Sequence, residues 1–367
     1  MHPPSPPMSP PVPATEAGVA TLPVTGGVYA FEDAAGGTLA LAGTANLRRR
    51  VRERLAEPVV DERFRVEHIR VCRAASEFER DWAYLQHARQ RLPATYRAGL
   101  ERWRGWFIHC DAEMPFPRFV RGCDLAALPA GGDCFGPLPD TRAAQGVIDA
   151  VEDLFDLCRY HHILMEAPHG RACAYKEMGR CPAPCDGTIG MDRYRAMVRD
   201  ALSFLAAPAD KRATIERAMQ TAASELDFER ATVLRRRWER AAAFERPACR
   251  HLRRLGDFRF AFVANGERRR SARVFLVVGG WITPWVDVPE AIDGGAVSSL
   301  LATLDDAART CPIDREPAAL ENMGLACWHM FRDDAALSFV RLGSADAASR
   351  LGPAIEAVQT AASVEPP

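Results

Sequence analysis

The chain has 367 residues, 48% of them apolar and 26% charged, with a net charge of −1. That composition describes a globular chain of two or three domains, and its overall charge announces no nucleic-acid partner. No apolar run reaches the ~20 residues of a membrane-spanning helix, and the proline-rich start, MHPPSPPMSPPVPATEAG, has neither the basic head nor the apolar core of a secretory signal. Eleven cysteines without an export signal read as reduced thiols or metal ligands, so the cytoplasm is the expected compartment and no membrane partner is expected. Lys176 and Lys211 are the only lysines, so nearly all positive charge is arginine, which suits phosphate by donating two bonds from one plane.

Residues 1–21 are expected to be a disordered, partly extended tail. From Leu22 to Leu55 the pattern is strand, turn at Gly36-Gly37, strand, then a basic helix opened by Asn46. Leu47, Val51 and Leu55 mark the inner side of that helix. A second helix is expected over Ser76–Arg91, stopped by Pro93. Residues 97–134 read as strands with irregular loops, connecting to a helix over Thr141–Leu157. Tyr194, Met197, Val198, Ala201, Leu202 and Leu205 form the inner face of another helix. Lys211–Ser224 and Asp227–Phe244 form a helical hairpin with Leu226, Phe228, Ala231 and Leu234 as its apolar seam. Strands FRFAFVA and ARVFLVVGGWI follow, joined at Asn265-Gly266, then helices near 296–309 and 316–331 and a last strand, LSFVRL. Residues 346–367 are expected to be a weak tail. The fold class is α+β.

Cys158, Cys173, Cys181 and Cys185 stand apart from the other cysteines. Three of them fall within thirteen residues, and Pro182, Pro184 and Gly187 hold the last pair in turns. Four soft sulfurs suit an iron–sulfur cluster or a tetrahedral zinc, and spacing alone does not choose between them. The remaining seven (72, 110, 123, 134, 249, 311 and 327) show no clustering and read as packing residues.

These segments carry a resemblance to the UvrC family of excision-repair endonuclease subunits. LPVTGGVYAFEDAAGGTLALAGTANLRRRV resembles the opening of a GIY-YIG nuclease domain, GDCFGPLP an FGP-type motif, GRCPAPCDG the family's cysteine region, and ELDFERATVLRRRW its UVR motif. The resemblance implies a GIY-YIG-type α/β domain over 22–98, a connection over 99–140 and a cysteine module over 141–207. A UVR hairpin over 208–246 and an α+β region over 247–345 complete it. It also implies that Cys158, Cys173, Cys181 and Cys185 hold a 4Fe-4S cluster, although Cys158 comes earlier than the family's first cysteine. Leu226, Phe228 and Leu234 are implied as contacts for UvrB or a UvrB-like partner. Arg48, Arg49, Arg52, Arg235, Arg236 and Arg237 are implied as DNA phosphate contacts, with affinity falling steeply in salt.

Phosphodiester hydrolysis needs an activated water, a metal and a cation on the phosphate. By the resemblance, Tyr29 stands near the water, Arg50 on the phosphate, and Glu77 on a Mg2+ or Mn2+ ion. The second tyrosine is missing: its place reads Leu41-Ala42-Gly43, with Thr44 where the family has lysine. This implies a degenerate nuclease domain that keeps DNA binding; if active, it is a metal-dependent DNA endonuclease. Read without the family, Tyr29 is a strand aromatic, Arg50 a solvated helix arginine and Glu77 a surface carboxylate with Glu79 as competitor. A non-catalytic DNA-binding adaptor and a structural zinc module are the alternative functions. The family's second, RNase H-type centre is not expected, since Asp257, Asp287, Asp305 and Asp306 show no pattern for it.

Overall fold

The computed structural model describes residues 5–57, 65–129, 131–289, 292–309, 314, 316–332, 334 and 336–361. The chain divides into two compact units: residues 1–103 with 258–367, and residues 104–257. Two segments 150 residues apart in sequence therefore share one core, where sequence reading expects separate regions. The discontinuity follows from what the N-terminal helices must bury.

The first unit begins with β1 (Val12–Pro13), α1 (Glu16–Ala20), β2 (Gly27–Glu32), β3 (Thr38–Thr44), α2 (Leu47–Leu55), β4 (His68–Arg73) and α3 (Glu77–Arg91). The strands form one antiparallel sheet in the order β1-β4-β2-β3. The expected tail is a correction here: β1 pairs with β4, and the Ser9 amide donates to the Val71 carbonyl at 2.7 Å. Asp33 closes the β2–β3 turn by accepting from the amides of Ala35 and Gly37. Asn46 caps α2 and Ser76 caps α3 through side-chain oxygens, as those residue types do.

Strand alternation sends Tyr29, Phe31, Ile69 and Val71 to one face, where Val19, Leu22, Leu47 and Val51 cover them. Val28, Ala30, Leu41 and Cys72 point to the other face, under Ala83 and Ala88 of α3.

The second unit carries β5 (Trp106–Cys110), β6 (Val120–Gly122), β7 (Asp133–Leu138), α4 (Thr141–Leu154), α5 (His161–Leu164), α6 (Ala174–Glu177), α7 (Met191–Ala206), α8 (Pro208–Ser224), α9 (Phe228–Ala241) and β8 (Arg253–Arg254). Its sheet runs β6-β5-β7-β8, so the expected connecting region supplies strands. Ile108, Phe135, Val147, Val151, Tyr194, Val198 and Leu202 make the core beneath α4 and α7.

The chain then returns to the first unit with β9 (Arg259–Asn265), β10 (Ala272–Val278), β11 (Trp281–Val288), α10 (Gly294–Arg309), α11 (Pro317–Met330), β12 (Leu337–Arg341) and α12 (Ala347–Ala361). The expected C-terminal tail is thus helical, with Leu351, Ile355 and Val358 buried. The β9–β10 turn is also longer than an Asn-Gly pair: Asn265 pairs with Ala272, and residues 266–271 form the loop. One face of the sheet β11-β10-β9-β12 packs on α10 and α12. The other face presents aromatics to α3. The Phe78 ring centre lies 5.0 Å from Phe262, 5.1 Å from Phe275 and 5.3 Å from His329.

α3 is therefore buried from two sides, and several of its polar groups face partners in the C-terminal layer. Glu79 pairs with Arg273, Asp81 with His329 at 3.3 Å, and Gln86 donates to Asn322 at 3.1 Å. Arg89 pairs with Glu321 at 2.9 Å. Phe78→Ala is expected to destabilise by about 3–5 kcal/mol, read from urea midpoints, because a fully buried ring between two layers leaves a cavity.

A pH prediction comes from the same helix. His87 is pushed down to about 4 by burial and by Arg91. The unfolded chain takes that proton first, so stability is full above about 6.5 and falls as pH drops towards 4, by up to about 3 kcal/mol. His87→Gln flattens this acid limb when unfolding is compared at neutral and acidic pH.

Candidate functional site

The three residues expected at a nuclease centre are not brought together. Tyr29 pairs with Ala42 and Val71, and its ring is buried on the α2 face of the sheet. Its hydroxyl lies near Arg54, which pairs with Glu57 at 2.6 Å. Arg50, one helical turn earlier, is exposed and pairs with Glu53 at 3.4 Å. Glu77 opens α3, the helix on the opposite face. It is held by Arg80 at 3.2 Å and Arg332 at 3.1 Å.

A divalent ion does not fit this arrangement. Glu77 already faces two guanidinium groups, and Glu79 is buried against Arg273 with its second oxygen accepting from the Ala75 amide at 2.7 Å. Burial, the largest influence, pushes Glu79 up, with Arg273 opposing it. Arg80 also lies across Gly43, its Cδ 3.1 Å from where a Cβ would stand. Leu41 pairs with Ala30 and points into the alkyl core beneath α3, away from the Tyr29 face. The C-terminal acids are scattered: Asp287 pairs with Arg273 at 2.6 Å and Asp305 accepts from the Gly343 amide at 2.9 Å.

In the second unit, Cys158 and Cys181 lie side by side, with Cys185 nearby. The Cys158 thiol contacts the Cys181 sulfur and donates to the Tyr160 carbonyl at 3.5 Å. The Cys158–Cys181 contact, with burial, raises Cys158; the same contact lowers Cys181 to about 7, burial opposing it there. Cys185 is close enough to feel the Cys181 charge, and its carbonyl accepts from the Gly170 amide at 2.8 Å. Ala183 (φ 54°) and Gly187 (φ 78°) adopt left-handed backbone around this turn, which aims both sulfurs inward.

Cys173 stands apart from these three, at the start of α6. Lys176 of that helix reaches back to Asp186, beside Cys185, at 2.5 Å. Among the described residues no three His, Cys, Asp or Glu side chains converge closely enough to hold a metal ion. The donor chemistry of Cys158, Cys181 and Cys185 nonetheless suits a thiophilic centre. Cys72, Cys110, Cys249 and Cys327 are buried, burial raising each thiol, Cys72 and Cys110 to about 12; Cys311 lies outside the described residues.

The helical hairpin of α8 and α9 departs from the expected seam. Leu226, in left-handed backbone at φ 59°, and Phe228 are exposed at its tip, as is Val233, while Leu234 is half-buried. Of the arginines proposed for phosphate, Arg48 donates to the Leu22 carbonyl at 2.7 Å, and Arg49 pairs with Glu53 at 3.7 Å. Arg235 pairs with Glu239 at 3.0 Å, and Arg237 lies 4.9 Å from the Phe155 ring centre. Arg52 and Arg236 are exposed.

Sequence reading missed Asp153. It gathers Arg159 at 2.9 Å, Arg180 at 2.8 Å and Arg240 at 3.6 Å, so one carboxylate ties the cysteine segment to α9. No local motif marks it, because its partners are 6, 27 and 87 residues away. Arg54 was missed for a simpler reason: it shares a helix face with Arg50, and only the register decides which reaches Tyr29.

Comparison with known proteins places these features. Residues 106–204 match the family model for the UvrC/Cho excinuclease middle domain, and residues 210–241 match the UvrB/uvrC motif. The UvrABC system protein C of Salinispora arenicola (strain CNS-205) is 28% identical over 227 residues, covering 59% of this chain and 34% of that protein. That of Syntrophus aciditrophicus (strain SB) is 31% identical over 232 residues, covering 59% and 35%. That of Rhodospirillum rubrum (strain ATCC 11170) is 26% identical over 277 residues, covering 73% and 43%. The chain spans about a third of the length of the first two of these relatives. No solved structure matches it.

Leu41 gives a direct test of the missing phenol. Leu41→Tyr places a larger, polar side chain in a packed alkyl core, so it is expected to destabilise by about 1–3 kcal/mol. It is expected to create no plasmid nicking, since the ring would enter the face opposite Tyr29. Thermal unfolding and a nicking assay read the two effects.

Proposed function

We propose that this chain, whose middle region and hairpin match the UvrC/Cho middle-domain and UvrB/uvrC-motif models, is a UvrC-family protein that acts in nucleotide-excision repair by binding DNA. In this reading its N-terminal domain has the GIY-YIG fold without a working nuclease centre. One observation carries the non-cutting reading: Tyr29 and Glu77 belong to opposite faces of one sheet, and Glu77 is engaged by Arg80 and Arg332. Water activation and metal binding then have no common place. The reading also assigns the protein to the cytoplasm. No helix among the described residues is long and apolar enough to cross a membrane.

The hairpin tip supports a partner role. Leu226, Phe228 and Val233 are exposed apolar side chains on a helical hairpin, the kind of anchor a helical or grooved partner buries. UvrB or a UvrB-like protein is the proposed partner. Exposed Arg52 and Arg236 are the first candidates for DNA phosphate, because Arg48 and Arg237 are engaged elsewhere.

Cys158, Cys181 and Cys185 would hold a 4Fe-4S cluster, with Cys173 as the fourth ligand. When bound, such a cluster supplies thiolate-held iron whose potential is set by hydrogen bonds and solvent exposure. The chain's own contribution is the turn around Ala183 that presents two sulfurs together and the Lys176–Asp186 pair that draws α6 towards them. A zinc site on the same sulfurs is the second reading, since four thiolates also suit tetrahedral zinc.

A damaged supercoiled plasmid, incubated with wild type, Glu77→Ala and Arg50→Ala in Mg2+, Mn2+ and chelator, tests the main reading. Equal, metal-independent background from all three is expected. Metal-dependent nicking by wild type, lost in Glu77→Ala, would overturn it. Iron and sulfide analysis after anaerobic purification decides the metal: one zinc per chain in place of iron refutes the cluster.

A further inference from the structure

Beside the thiol group lies a run of planar side chains that none of the roles above uses. The Arg159 guanidinium stands 5.0 Å from the Tyr175 ring centre. Tyr175 and Tyr160 have ring centres 5.9 Å apart, and Tyr160 and His162 5.8 Å apart. Its inner end is anchored: Arg159 donates to Asp153 at 2.9 Å, and the Tyr160 carbonyl accepts from the Cys158 thiol. Its outer end is open: Tyr160 is 42% exposed, and His162 is exposed beside it. Three rings interact with one another while the outer two remain in water, so part of their stacking surface is unused.

The charge around the rings narrows the occupant. Of the cations in residues 157–180, Arg159 and Arg180 pair with Asp153 and Lys176 with Asp186, which leaves Arg171 as the one for which no carboxylate partner is seen among the described residues. Arg171 is exposed, four residues before Tyr175 in the same segment. Flat π-faces interleaved with cations suit a base followed by its phosphates, since every base has a π-face and every linkage a negative charge. An apolar protein segment would instead need continuous apolar surface.

We propose that Tyr160, backed by Tyr175 and His162, stacks an unpaired base of a single-stranded or locally opened DNA strand, with Arg171 on a neighbouring phosphate. This rests on the DNA-binding reading above and narrows it: the second unit recognises strand separation, not duplex.

Fluorescence anisotropy of the full chain, with a fluorescein-labelled oligothymidylate and with a duplex of equal length, tests it. Tyr160→Ala is expected to weaken single-strand binding about 5- to 150-fold, the range for losing one base–aromatic stack, and to leave duplex binding little changed. Tyr160→Phe and Tyr160→Trp keep the π-face and are expected to retain affinity. Arg171→Ala is expected to lower the slope of log affinity against log salt by about one. Matching far-ultraviolet dichroism and melting curves establish that the variants fold.

Single-strand affinity unchanged in Tyr160→Ala overturns the proposal, as does a Phe variant as weak as the Ala variant. Equal losses on both DNAs also overturn it. In those three cases wild type still binds DNA and the broader reading stands. Wild type that binds neither DNA refutes the broader reading and this inference with it.

Discussion

Most of the first unit depends on one constraint: α3 has no solvent side along most of its length. Phe78, Trp82, Ala83, Leu85 and Ala88 are buried together with Glu79, Asp81, Gln86 and His87. A helix apolar on one face needs one layer, and a helix buried nearly all round needs two. The sheet of β2, β3 and β4 supplies the first layer and the aromatics of β9 and β10 supply the second. The burial of α3 between those two layers joins segments that are distant in sequence.

The same constraint decides the electrostatics. A carboxylate or amide carried into such a place must find a partner there, because an unpaired buried charge costs several kcal/mol. Arg273, His329 and Asn322, all from the C-terminal layer, are those partners. Glu77 sits where the helix leaves the core. Its pair with Arg332 is half-exposed and worth under about 1 kcal/mol, so it is an outcome of the packing and not its cause.

Local order was legible in the residues. Caps at Asn46 and Ser76, the turn after Phe31 and the periodicity of α7 and of the hairpin helices all rest on neighbours a few positions away. Long-range order was not. Nothing near Phe78 says that its ring meets Phe262, and nothing near Asp153 says that it collects three arginines. The prolines of the first residues were misleading for a definite reason: clustered prolines read as an unpaired extended tail, yet an edge strand tolerates proline, and β1 is such an edge. In the hairpin, helical spacing located Phe228 correctly on α9 but could not tell an inward position from one at the tip, where the turn at Leu226 rotates the helix start outward. The cysteines were legible as a group in sequence; that Cys158 and Cys181 lie side by side depends on how the turn around Ala183 folds.

The split first unit bears on how the chain is made. Phe78 and Trp82 leave the ribosome well before Phe262 and Phe275 exist, since the whole of residues 104–257 is synthesised in between. At about 5–20 residues per second that interval is on the order of ten seconds or more. During it α3 shows an uncovered aromatic side while the second unit, continuous in sequence, can already fold. The nascent chain therefore carries its most aggregation-prone surface at the start and the cover for it near the end.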